Sequence, residues 1–100
     1  MFRSMKLPRI ELSPQVAGFL RTLAPEPRQQ LRAGLRALAD GQGDILELEH
    51  PLDGFCRLRV GRYRVVFHYV DSGNSRLIRC DFAERRKLVY ELFSDLIKGV

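Results

Sequence analysis

The stretch Phe55-Cys56-Arg57-Leu58-Arg59-Val60-Gly61-Arg62-Tyr63-Arg64-Val65-Val66-Phe67 decides how this chain is read. Strand-forming residues alternate with arginines on both sides of Gly61-Arg62, a pair that suits a two-residue hairpin loop with glycine where φ must be positive. Such a loop pairs Val60 with Tyr63, Arg59 with Arg64 and Leu58 with Val65. Alternate side chains take opposite faces and directly opposed residues share one. Cys56, Leu58, Val60, Tyr63, Val65 and Phe67 therefore form a core face, while Phe55, Arg57, Arg59, Arg64, Val66 and His68 form the other. Two arginines set opposite each other destabilise a strand pair. A local conflict of this kind marks a functional site more often than a packing choice.

Downstream, a turn at Asp71-Ser72-Gly73-Asn74 completes a three-stranded antiparallel meander over about residues 55–60, 63–70 and 76–82. Ile78, Cys80 and Phe82 are expected on the core face beside Phe67. Cys56 and Cys80 then flank the central strand at roughly 9–10 Å, two interstrand spacings, which is too far for a disulfide. They read as buried free thiols. His50 and His68 supply no ligand-spaced cluster, so neither a metal nor another cofactor is expected.

Upstream, residues 6–12 read as a first strand in which Ile10 and Leu12 alternate with Arg9 and Glu11. Ser13 caps a helix with Pro14 in its first turn, and Val16, Phe19, Leu20 and Leu23 make its apolar stripe. Pro25 and Pro27 open a second, antiparallel helix whose stripe Leu31, Leu35 and Leu38 runs to a stop at Asp40-Gly41. Residues 44–53 read as a connector anchored by Ile45, Leu46, Leu48 and Leu52. A last helix over roughly residues 84–98 is apolar at Leu88, Val89, Leu92, Phe93, Leu96 and Ile97. The expected architecture is α+β: an N-terminal strand, a helical hairpin, the meander and a C-terminal helix, with the helices packed on one sheet. Residues 1–100 make a single domain, of which 1–5 are expected outside the ordered fold.

Seventeen Lys and Arg against twelve Asp and Glu give a net charge of +5 and a pI near 9.8, which favours an anionic partner. A composition 45% hydrophobic and 29% charged is that of a soluble globular protein. With no apolar run long enough for a signal peptide or a membrane span, a cytoplasmic protein without membrane contacts is expected.

The phrases LDGFCRLRVGRYRVVF (52–67) and FAERRKLVY (82–90), in this order and spacing, resemble the signature of the RelE/ParE toxin superfamily of bacterial toxin–antitoxin systems. The resemblance runs from about residue 6 to residue 97. It implies a small ribonuclease that cuts messenger RNA in the ribosomal decoding site, where the ribose 2′-hydroxyl attacks the adjacent phosphate. On this resemblance Arg57, Arg59 and Arg64 are phosphate and transition-state contacts, with Arg85 a further member and Tyr90 a stacking group or proton donor. Guanidinium groups suit such contacts because they stay ionised and match phosphate oxygens in a bidentate manner. The pattern departs from the family in three places. Arginines stand at 57 and 59 where RelE has lysines, Glu84 stands where that toxin has an arginine, and the histidine that several sister toxins carry near that point is absent.

Arg62 and Arg86, together with the i, i+4 stripe Arg28, Arg32 and Arg36 on the second helix, are candidate RNA contacts. Glu84 and His68 are candidate proton carriers, and Asp81 is expected to pair beside Arg64. The partners the resemblance implies are a cognate antitoxin, the ribosome and its mRNA, with operator DNA reached only through the antitoxin complex. Two alternatives stay open: a ParE-type toxin that poisons DNA gyrase without RNA chemistry, and a non-catalytic RNA- or protein-binding module.

Overall fold

Gly61, at a φ of +60°, turns β3 (Cys56–Val60) into β4 (Tyr63–Ser72) in the expected register, with Val60 opposite Tyr63, Arg59 opposite Arg64 and Leu58 opposite Val65. The computed structural model describes residues 9–85 and 88–97. Around this hairpin it adds β1 (Arg9–Leu12), α1 (Pro14–Thr22), α2 (Pro25–Ala39), β2 (Asp44–Glu47), β5 (Ser75–Arg85) and α3 (Leu88–Ile97). The five strands form one mixed sheet in the order β1-β5-β4-β3-β2, in which β1 runs parallel to β5 and all other pairs are antiparallel. The α+β architecture read from the sequence is the one observed. No described helix is long and apolar enough to cross a membrane.

One face of the sheet carries the main core. Val16, Leu20 and Leu23 from the first helical stripe and Leu31, Leu35 and Leu38 from the second are all buried against Cys56, Leu58, Tyr63, Val65, Phe67, Ile78, Cys80 and Ala83. Phe19 is half-buried, its ring edge-on to Tyr63 at 5.8 Å. Gly34 lets α2 approach the end of β3, since a Cβ there would stand 2.5 Å from Val60 Cγ2. Cys56 and Cys80 both pair with Phe67 from opposite sides and are free thiols.

Caps and side chains complete the hydrogen bonding where strands end. Ser13 Oγ accepts from the Val16 amide at 3.2 Å and donates to the Asp81 carbonyl at 2.8 Å. Beyond Cys80, β5 has no β1 residue beside it. There the Gln15 side-chain amide takes the place of a strand, donating to the Ala83 carbonyl at 2.8 Å and accepting from its amide at 2.7 Å. Buried backbone groups need such partners.

The structure corrects the sequence reading of the elements; β5 runs on to Arg85, so Glu84 and Arg85, expected at the start of the last helix, are strand residues and α3 begins at Leu88. Residues 44–47, expected as connector, form the edge strand β2, which pairs with β3 and sets Asp44 opposite Arg59. Between Val66 and Phe67 the register shifts, so that Val66 faces Phe82 and Phe67 faces Cys80. Asp81 is the extra residue of a β-bulge, and a bulge breaks the strict alternation of faces. Phe82 thus leaves the main core and joins Leu52, Val66 and Phe93 in a second buried cluster on the other face. Of the two apolar residues that alternate in the first strand, Ile10 packs against the core and Leu12 is exposed. Finally, the apolar face of α3 is not wholly buried. Phe93 is covered, whereas Leu92, Leu96 and Ile97 are 40%, 56% and 44% exposed.

Candidate functional site

Register builds the site. Arg57 and Arg59 on β3 and Arg64 on β4 share the sheet face away from α1 and α2, as expected. The edge strand β2 adds a carboxylate that the connector reading missed. Asp44 Oδ1 accepts from Arg57 Nη2 at 2.9 Å and Oδ2 accepts from Arg59 Nε at 2.9 Å. The like-charge conflict between Arg59 and Arg64 is therefore partly offset by an anion one strand away. Only a strand assignment for residues 44–47 could have located it, and Ile45 alternating with two charged ends is a weak signal over four residues.

The three arginines differ in their freedom. The Arg57 side chain is 13% exposed, and its Nε is buried without a hydrogen-bond partner. A buried donor left unpaired costs about 1–3 kcal/mol, so stability alone does not account for an arginine here. Arg59 is half-exposed. Arg64 makes no ion pair among the described residues; its Nη1 donates to the Gly61 carbonyl at 3.1 Å and the Tyr63 carbonyl at 3.2 Å. Those two bonds aim a guanidinium that keeps its charge uncompensated.

Other candidates lie elsewhere. Arg85 pairs with Tyr63, a core-face residue, and so projects on the side opposite Arg64; the residue that faces Arg64 is Glu84. Arg62 is exposed at the hairpin turn, where Glu26, Gln30 and Tyr63 help line an open cleft of about 670 Å³. Arg28 is not a free helix-face charge. Its guanidinium donates to the carbonyls of Leu20 at 3.2 Å, Arg21 at 3.4 Å and Leu23 at 2.8 Å, where α1 ends; the Leu20 carbonyl also accepts from the Leu23 amide. Arg32 and Arg36 are exposed and, with Arg9, rim a cleft of about 630 Å³ floored by Ile10, Leu20 and Leu35. That cleft belongs to the helical side, not to the face of Arg57, Arg59 and Arg64. Tyr90 falls on α3, but its side chain, like all of Arg86, lies outside the described residues.

Asp81 pairs with His68 and not, as expected, beside Arg64. Its Oδ2 stands 2.8 Å from His68 Nδ1, and the bulge at Asp81 brings the two together. Burial holds the Asp81 carboxyl above its ordinary range, although the His68 hydrogen bond works the other way. The Phe55 ring meets the His68 ring edge-on at 5.4 Å and continues to Phe93 at 5.0 Å. Val66, buried beneath Phe93, separates His68 from Arg64 along β4. His68 is thus on the expected face but not gathered with the arginines.

The two cysteines carry no reactive thiolate. Burial pushes the Cys80 thiol up to about 12 and raises Cys56 as well, with Asp81 and Glu47 acting in the same direction.

The mixed five-stranded sheet with α1 and α2 on one face and α3 on the other matches the fold of RelE-like toxin structures. Three solved structures establish the likeness. A chain of the toxin–antitoxin complex RelBE2 from Mycobacterium tuberculosis superposes with a TM-score of 0.67 at 16% identity, over 81% of this chain and 100% of that one. The archaeal RelE–RelB complex from Pyrococcus horikoshii OT3 gives 0.62 at 22% identity, over 82% and 98%. The RelB–RelE complex from Methanococcus jannaschii gives 0.56 at 17%, over 82% and 96%. No family model matches the sequence, and no curated protein matches it significantly.

Proposed function

We propose that this chain is the toxin of a toxin–antitoxin pair and that it cleaves messenger RNA within the ribosome. The observation that carries this reading is the gathering of Arg57, Arg59 and Arg64 on one face of a RelE-like sheet, with Arg64 uncompensated among the described residues. Arg64 contacts the scissile phosphate and Arg57 and Arg59 bind its oxygens, so the charge that builds on phosphorus meets donors already in place. The ribose O2′ bonds to phosphorus and the P–O5′ bond breaks, leaving a 2′,3′-cyclic phosphate and a 5′-hydroxyl. Glu84, set opposite Arg64, takes the 2′-hydroxyl proton, and the leaving O5′ takes one from the Tyr90 hydroxyl. A cognate antitoxin holds the toxin at rest, and operator DNA is met through that antitoxin.

The test is a translating extract in which new mRNA 5′ ends are mapped. Wild type gives codon-linked cuts. Arg64→Ala gives none while its circular dichroism is unchanged, since its only described bonds are to local carbonyls. Cutting by Arg64→Ala at the wild-type rate would remove Arg64 from the site.

One observation favours a second reading, a gyrase poison. The one histidine on the described part of the arginine face, His68, is tied to Asp81 beyond Val66, and no described lysine stands beside the arginines to move a proton. Intact message together with accumulated gyrase–DNA cleavage complexes is the outcome that reading requires.

A further inference from the structure

The Asp44 carboxylate bridges two guanidinium groups, one oxygen to each, both at 2.9 Å. Two oxygens of one anion shared between two arginines is also how the non-bridging oxygens of a phosphodiester are held. Asp44 is 47% exposed and Arg59 52%. A pair this open to water is weak and readily exchanged. Arg57 is the buried partner, and it retains a donor that Asp44 does not satisfy. The carboxylate owes its place to the edge strand, whose register sets Asp44 opposite Arg59 and Leu46 opposite Arg57.

We propose that Asp44 is an internal stand-in for substrate phosphate: it occupies the Arg57–Arg59 pair in the free protein and is displaced by a backbone phosphate of the bound RNA. This rests on reading the arginine face as a phosphate site, and it makes β2 a regulator of that site. A purely structural role, neutralising the charge that Arg59 and Arg64 share, predicts the opposite sign when the carboxylate is removed.

The experiment measures binding of a non-cleavable 2′-O-methyl RNA oligonucleotide by fluorescence anisotropy for wild type, Asp44→Asn and Asp44→Glu, with melting curves for each. Asp44→Asn is expected to bind on the order of tenfold tighter and with a steeper salt dependence, because an anion that competed for the same guanidinium groups is gone. Asp44→Glu keeps the competing charge and is expected to stay near wild type. Where wild type binds the oligonucleotide, equal or weaker binding by a folded Asp44→Asn overturns the proposal. A parallel titration with inorganic phosphate, followed by NMR at the arginine Nε–H groups, separates the two readings. If phosphate binding rises in Asp44→Asn while neither protein binds the oligonucleotide, the displacement by anions stands and the RNA reading fails. If neither ligand binds Asp44→Asn more tightly, the stand-in is refuted.

Discussion

Adding one methyl group at Gly34 tests how closely α2 seats on the hairpin that carries the arginines. The new Cβ would lie 2.5 Å from Val60 Cγ2 and 3.3 Å from Cγ1, whereas carbon atoms rest at roughly 3.5–4.0 Å. About 1 Å must therefore be opened, and Val60 is β-branched with restricted rotation about χ1. Overpacking of this kind costs about 1–3 kcal/mol, while alanine in place of glycine within a helix returns about 1 kcal/mol. Gly34→Ala alone is expected to be neutral to about 2 kcal/mol destabilising on that balance. In a Val60→Ala background the obstacle is gone, and the same substitution should stabilise by about 1 kcal/mol. The sharp quantity is the coupling in the double-mutant cycle, about 1–3 kcal/mol, read from urea unfolding of the four proteins. Gains from Gly34→Ala that are equal in both backgrounds would refute the close approach of α2 to β3.

Two further outcomes follow from groups already described. Asp81 is held above its unfolded carboxyl range by burial, so the folded state binds its proton more tightly and that contribution is full at low pH and lost as pH rises through the raised value. The stability of wild type relative to Asp81→Asn should accordingly fall as pH is raised from the unfolded carboxyl range; urea unfolding across the acid range measures it, and a relative rise would show that the His68 bond outweighs burial. Cys56 and Cys80 should both resist alkylation in the folded protein at pH 8, Cys80 the more strongly, and both should react once denatured; mass spectrometry before and after urea reads this, and a disulfide mass under non-reducing conditions would contradict the free thiols.

The hairpin was legible because Gly61-Arg62 leaves one sensible loop, and everything local to it followed: the Val60–Tyr63 pairing, the two faces and the placing of both cysteines about Phe67. The helical stripes were legible for a similar reason, since Leu31, Leu35 and Leu38 repeat at helical spacing and Pro and Gly mark the ends. What escaped depends on partners distant in sequence. Ile78, Cys80 and Phe82 alternate without interruption, and nothing local announces that Asp81 bulges out to reach His68. The four residues of β2 become a strand only through pairing with β3. Arg28 fits a solvated helix stripe by its spacing, yet the carbonyls at the end of the preceding helix capture it. At the site, the arginine face could be read in advance, but the Asp44 bridge and the exclusion of Arg85 from that face required the full register.

The bulge at Asp81 also puts a second apolar cluster on the arginine-bearing side of the sheet. Among the described residues the main core holds fourteen buried residues and the cluster on the arginine side of the sheet four, to which α3 contributes Phe93. Phe93 closes over Val66 and Phe82 on the side of the sheet that carries Arg57, Arg59 and Arg64, so the cover that α3 provides and the strands that present the arginines meet on one surface. A change at Phe93 therefore reaches the arginine-bearing side of the sheet without passing through the main core.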